Sequence, residues 1–347
     1  MEYFRQKYHD YLNENGPVEI RGFTWENAEV FEKMTTGPNG EHGDYEATFT
    51  AYVGDRLQQA KERAQEFLEE TKCLDRFRAL SARKQNGQVL PFVGAGMSIA
   101  SGYRPWGAFL LALLGDAPQI RSDVAAMLDR GEYEEAAQLV HDTLQPHVLA
   151  EEIANQLGRH RPRTAGPVCL LPRLFPNEVL TTNFDYVLTH VYHRAEIPFT
   201  YEFCGIRLRE ARQRIGNDPH CLLRLHGEAD AHEGRVLTRN EYDAAYNGGV
   251  TLTNILGALI GTRSLLFMGA SLQSDRTHAA LRDIRAQNAD APVRHYAFLP
   301  LPADNERAAR RAFLAEAEIH PIYYPADDHD QYIEDLLLTL MGGGLDD

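Results

Sequence analysis

Residues 89–106 read VLPFVGAGMSIASGYRPW, a short apolar run that ends in a glycine-rich turn and reopens as a helix. That order confines the fold. An apolar run of this length closed by glycine is a buried strand, and its junction with a helix is a place for an anion. The first helical turn carries N–H groups with no partner inside the helix, and the macrodipole adds partial positive charge there. Gly94 and Gly96 lack a Cβ, which permits a tight turn and lets a pyrophosphate approach the backbone. Only half of the dinucleotide fingerprint is present, because Ile99 stands at its third glycine position and the next glycine is Gly102. Alone, the stretch fits a nucleotide site and an ordinary strand-to-helix turn equally well.

Further apolar runs at 178–181, 221–225, 264–268 and 294–299 resemble buried parallel strands, and 319–324 is a sixth candidate. Most are separated by stretches long enough for helical crossovers. The expected fold is therefore α/β, a doubly wound, Rossmann-like parallel sheet over residues 86–326. A helix over 107–114 and a helix-rich region over 120–160 form a helical layer at about 107–165, with Val124, Leu128, Ala136, Leu139, Val140, Val148 and Ile153 on its buried side. The final residues, 327–347, form a helix that packs on the core through Ile333, Leu336, Leu337 and Leu340.

Residues 1–85 read as a mainly helical N-terminal extension. Phe4, Tyr8, Tyr11 and Leu12 share a helix face, the pattern breaks at Gly16-Pro17, and a second helical stretch spans 25–34. An exposed loop follows at 37–43. Over 55–82 the spacing of Leu57, Ala60, Ala64, Phe67, Thr71, Leu74 and Phe77 predicts one long amphipathic helix. Such a helix serves packing or assembly, and its sequence does not choose between them.

The chain has 347 residues, with 35 Lys and Arg against 50 Asp and Glu, a formal charge of −15 that argues against a nucleic-acid backbone as the main partner. The local basic run of Arg207, Arg209, Arg212 and Arg214 reads as a solvated helix face. Cys73, Cys169, Cys204 and Cys221 contain no C-x-x-C pair, which disfavours a zinc ribbon and a disulfide framework and suits reduced thiols. The N-terminus lacks the apolar core of a signal peptide, and no apolar run approaches membrane-spanning length. A soluble cytoplasmic protein is expected.

The polar motifs fall at the carboxyl ends of the expected strands. These are Gly94-Ala95-Gly96-Met97-Ser98, Thr182-Asn183-Phe184-Asp185, His226-Gly227 and Gly269-Ala270-Ser271-Leu272. In an open parallel sheet those ends share one edge, and ligands bind in the crevice outside it. Singly, each has an ordinary reading: Asn183 or Asp185 as a helix cap, His226 as a strand-end donor to a carbonyl, Gly269 and Ser271 as a turn and cap. Together they supply a glycine nest, hydroxyls, an amide, a carboxylate and an imidazole, the set a nucleotide-handling site needs. His190-x-x-His193 lacks further ligands nearby for a metal, and Glu241 and Asp243 read as a solvated helix start.

With these residues in place the sequence resembles the sirtuin-like family, within it the NAD-consuming branch found in prokaryotic antiphage defence. The resemblance rests on GAGMS at 94–98, Gly102 with Pro105 and Trp106, TTNFD at 181–185, LHG at 225–227, VLT at 236–238 and GASL at 269–272. It implies that Gly94, Ala95, Gly96, Ser98, Gly269 and Ser271 hold the phosphates and adenosine ribose of NAD, with Thr182 beside them, and that Asn183 and His226 are catalytic. Asp185 would favour developing positive charge or cap the next helix. Deacylating sirtuins carry two C-x-x-C pairs after the histidine motif, whereas no cysteine follows Cys221; they also carry a P-D-F-R run that is missing here. The resemblance therefore implies an NAD glycohydrolase that uses water as acceptor, needs no zinc, and makes nicotinamide and ADP-ribose.

Such an activity would exhaust cellular NAD, so gating by homo-oligomer assembly or by a partner such as a HerA-type ATPase is expected, in an antiviral NAD-depletion role. The rival readings are NAD-dependent deacylation or ADP-ribosyl transfer, and a non-catalytic sensor of NAD or ADP-ribose within a larger complex.

Overall fold

The computed structural model describes residues 2–345 apart from 36, 38–42, 116–117, 145, 162, 205–219, 232–233, 247–250, 274–275 and 289–291. The arginine run at 207–214 and most of the 37–43 loop lie outside the described residues.

The chain opens with α1 (Glu2–Asn13), a hairpin of β1 (Val18–Ile20) and β2 (Phe23–Trp25), α2 (Asn27–Met34), α3 (Gly43–Glu70) and α4 (Leu74–Gln85). Strand β3 (Val89–Val93) leads through a short turn of 3-10 helix at Ala95–Ser98 to four helices: α5 (Trp106–Leu113), α6 (Pro118–Asp129), α7 (Tyr133–Thr143) and α8 (Pro146–Leu157). After the short α9 (Leu171–Leu174) come β4 (Val179–Thr181), α10 (Val187–Arg194), β5 (Tyr201–Cys204), β6 (Cys221–Arg224), α11 (Arg239–Tyr246), α12 (Leu252–Ile260), β7 (Ser264–Met268), α13 (Arg276–Gln287), β8 (His295–Pro300), α14 (Asp304–Glu316), β9 (Ile319–Tyr324) and α15 (His329–Met341).

Among the described residues the main sheet has seven strands, all parallel, in the order β5-β6-β4-β3-β7-β8-β9. The fold is a Rossmann-like α/β sheet with flanking helices and an N-terminal helical region. Strands β3 and β7 are buried almost throughout, as expected where helices cover both faces. Phe92 on β3 faces Phe267 on β7 in register, with ring centroids 4.7 Å apart. From β3 the chain builds out through β4 on one side, then returns to the other side with β7. That reversal opens a crevice at the carboxyl end of β3, which α5 and α7 border, with α6 packed against both.

The sheet strands agree with the sequence reading to within a residue, except that β5 and the hairpin are additional. The hairpin turns on Arg21 and Gly22, both at positive φ (51° and 79°), the backbone of a two-residue turn whose twist suits a hairpin. Trp25 accordingly belongs to β2, not to the helix that starts at Asn27. The single helix expected over 55–82 is two helices. Cys73 N–H reaches back to the Leu68 carbonyl, Lys72 N–H to that of Glu69, and Lys72 sits at φ 56°, which closes α3 in a Schellman motif before α4 begins. Two apolar positions also differ. Tyr11 is 52% exposed and Val148 37%, because Phe4 and Tyr8 define the inner face of α1 and Leu149 with Ile153 that of α8.

The N-terminal helices lie against the far edge of the sheet: α3 packs along α15, and α3 and α4 contact β9. Arg63 on α3 grips Asp335 on α15 with Nε and Nη2 at 2.9 and 2.6 Å, and Arg56 and Lys7 flank Glu334 at 3.1 and 3.3 Å. Helix α15 is buried nearly all round, with Ile333, Leu336, Leu337 and Leu340 at 1% exposure or less.

Candidate active site

The turns after β3, β4, β6 and β7 meet around one cavity of about 330 Å³. Gly94, Ala95, Gly96, Ser98, Thr182, Asn183, Asp185, His226, Gly269 and Ser271 all line it, so the residues expected to act on NAD or to hold it share one place. Tyr103, Trp106, Phe109, Phe184 and Tyr242 supply an aromatic wall. Trp106 lies between Phe109 and Phe184, with centroids 5.2 and 5.6 Å away.

The glycine turn differs in detail from the expected phosphate cradle. Gly94 N–H donates to Met268 O and Gly96 N–H to Gly269 O, both at 2.8 Å, and Met97 N–H to Gly94 O at 3.1 Å. The first two tie the turns after β3 and β7 together, and the third closes the glycine turn on itself. A Cβ at Gly96 would come within 2.8 Å of Gly269 Cα; one at Gly269, whose φ is +68°, within 2.4 Å of Met97 N. The missing side chains thus serve first the contact between the turns after β3 and β7. The nearest helix of ordinary length starts only at Trp106, one residue before the expected 107.

Strand β4 ends in a loop held from β6. Leu225 N–H donates to Thr181 O at 2.8 Å and Ala229 N–H to Phe184 O at 3.0 Å. Between them the fully buried Arg224 reaches the Asn183 and Asp185 carbonyls at 3.2 and 2.8 Å, while its other nitrogens donate to Thr189 Oγ1 and Glu202 Oε2 at 3.0 and 3.1 Å. Sequence reasoning missed Arg224. Its signal was a charge inside the otherwise apolar run CLLRL.

On that loop Asn183 is 6% exposed, and its Nδ2 donates to Ser98 Oγ at 3.2 Å. Its Oδ1 is buried with no partner. A buried acceptor left open beside a cavity is a costly arrangement unless a ligand donates to it. Ser98, 2% exposed, is bonded to this amide and so orients it. Asp185 Oδ1 accepts from Val187 N–H at 3.0 Å, capping the start of α10. Burial pushes its carboxyl above the ordinary range, while the Val187 N–H, Ser98 hydroxyl and Arg224 pull it back.

His226 follows β6. It retains some exposure and lines the cavity, yet burial pushes its imidazole down to about 3. An unperturbed imidazole titrates near 6.5, so this shift leaves the ring neutral at physiological pH. The Tyr242 hydroxyl is hydrogen-bonded to His226 Nε2, and the two rings stand at 85° with centroids 5.2 Å apart. Arg276 at the head of α13 covers the Tyr242 ring at 4.7 Å and pairs with Glu134 of α7 at 2.8 Å and Asp243 of α11 at 3.0 Å. Burial raises the Glu134 carboxyl despite that pairing.

Neighbouring Glu241 closes a capping box, accepting from Thr238 N–H at 2.9 Å while Thr238 Oγ1 accepts from Glu241 N–H at 3.2 Å. His190 meets the Arg159 carbonyl at 3.2 Å, and among the described residues no group of three or more His, Cys, Asp or Glu could hold a metal ion. Among them, too, no helix is long and apolar enough to cross a membrane.

The family model of the SIR2-like domain matches residues 177–322, and SIR2-like domains use NAD. The matched span runs from β4 into β9 and holds Asn183, His226 and Tyr242; the glycine turn at 94–98 precedes it. No curated protein matches the sequence.

Proposed function

We propose that the chain hydrolyses the bond between nicotinamide and ribose in NAD, giving nicotinamide and ADP-ribose. The observation that carries this reading is the open, buried Oδ1 of Asn183 in a cavity shared with His226, inside a span matched to NAD-using domains. The cavity falls within the roughly 300–1,000 Å³ of small-molecule sites, and its aromatic wall suits a flat ring.

As the C–N bond breaks, its electron pair neutralises the nicotinamide nitrogen, so the leaving group needs little acid assistance and the sugar takes on positive charge. Asn183 Oδ1 accepts a hydrogen bond from a ribose hydroxyl or the attacking water and fixes its position without adding charge. The water oxygen bonds to the sugar carbon, and the proton it loses passes to the His226 side. The phosphates of NAD bring negative charge to the site, which raises the basicity of the imidazole above its value in the empty cavity. Asp185 stabilises the loop and places negative potential near the sugar.

Because unrestrained turnover would exhaust a cell's own NAD, the proposal includes control by self-association or by a partner protein such as a HerA-type ATPase, in an antiviral role. Nicotinamide and ADP-ribose are followed by chromatography with the chain alone and with candidate partners. Asn183→Ala and His226→Ala are each expected to lower release on the order of 100-fold or more while leaving the fold intact. Wild-type rates in both variants would refute the assignment, and NAD binding without turnover in any assembly state would favour a sensor.

A further inference from the structure

The contact between Tyr242 and His226 has a chemical consequence for the water that the proposed hydrolysis consumes. Both side chains line the cavity, and the phenol oxygen occupies the Nε2 side of the imidazole, with Nδ1 farther off at 3.3 Å. A substrate hydroxyl approaching Nε2 therefore meets Tyr242 first.

The phenol is held from behind. Arg276 lies over the ring face at 4.7 Å, and its own position is fixed by Glu134 and Asp243 on two other helices. A cation over the ring favours negative charge on the phenol as a proton leaves it. Thr238 and Glu241 lock the first turn of α11, from which Tyr242 projects.

We propose that Tyr242 is a catalytic residue that relays the proton of the attacking water to His226. This assignment rests on the glycohydrolase reading. The Tyr242 O–H donates to Nε2 of the neutral imidazole, and the phenol oxygen accepts from the water. As the water oxygen bonds to the sugar carbon, its O–H bond breaks toward Tyr242, and the Tyr242 proton moves to Nε2. The C–N electron pair departs with nicotinamide. Tyr242 ends with the proton it received, and the imidazolium releases the extra one to solvent. Burial keeps the His226 imidazole neutral, and with its single proton on Nδ1 the ring accepts that first hydrogen bond at Nε2.

Tyr242→Phe keeps the ring and removes only the hydroxyl. With NAD, kcat is expected to fall on the order of 100-fold while KM changes little. A second measurement does not depend on turnover. In protein labelled with ¹⁵N-histidine, the His226 Nε2 resonance of the wild type should be that of an unprotonated, hydrogen-bonded nitrogen, and should move to the free, unprotonated position in Tyr242→Phe. Wild-type kcat in the variant, or an Nε2 that carries the proton in the wild type, overturns the relay and leaves the hydrolytic reading standing. Absence of nicotinamide release from the wild type in every assembly state sinks that reading, and the relay with it.

Discussion

Arg224 Nη1 donates to the main-chain carbonyl of Asp185 at 2.8 Å from a side chain with no exposed surface. One buried guanidinium thereby holds the loop that carries Asn183 by the backbone. Arg224→Met should leave two loop carbonyls without donors and the Glu202 carboxylate with only the Thr189 hydroxyl, at a cost of about 3 kcal/mol. Arg224→Lys keeps the charge but loses the fork, and should fall between. Urea unfolding gives the stability and nicotinamide release the effect on the site; a Met variant as stable and active as the wild type would contradict the role.

The meeting of the turns after β3 and β7 makes Gly269 a sensitive position. Gly269→Ala combines a positive φ with a Cβ 2.4 Å from Met97 N, so a loss of more than about 1 kcal/mol is expected, with weakened NAD binding. Gly257 in α12 is the control, because a Cβ there would meet only Ile284 at 3.8 Å. Gly257→Ala should be neutral or stabilise by up to about 1 kcal/mol through helix propensity. Thermal unfolding distinguishes the two.

His295 starts β8 in the sheet interior, where its Nδ1 accepts from Leu265 N–H at 3.0 Å and burial pushes its pKa down to about 3. In the unfolded chain the same imidazole takes a proton near 6.5. Between those values the unfolded state binds the extra proton, so acid favours unfolding. His295 is expected to contribute on the order of 2 kcal/mol of destabilisation as pH falls from 6.5 to 5. His295→Gln should flatten the dependence of the urea midpoint on pH over that interval; an unchanged slope would contradict it.

The sheet was legible because β3, β6, β7 and their neighbours are short apolar runs stopped by glycine or polar residues, and burial on both faces demands that pattern. β5 was not, since Tyr201-Glu202-Phe203-Cys204 is a half-buried edge strand whose charge is answered by Arg224 across the sheet. The cavity residues were legible as small or polar groups at strand ends. Tyr242 was not. It comes from a helix, and its tie to His226 depends on the angle at which α11 returns over the site, which no local pattern encodes. The Schellman stop at Lys72 was hidden for a related reason, since a lysine in the left-handed region carries no turn signature of its own.

The pairing of α3 with α15 bears on how the chain can be divided. A fragment beginning at residue 86 would retain the last helix but strip Asp335 and Glu334 of Arg63, Arg56 and Lys7, and would open to water the apolar surface of α15 that α3 covers. Such a fragment is expected to expose α15 and aggregate, and mixing it with a separately made 1–85 segment should restore solubility. During synthesis the opening helices must wait for the closing one, because α3 finds its partner only once residues 329–341 have been made.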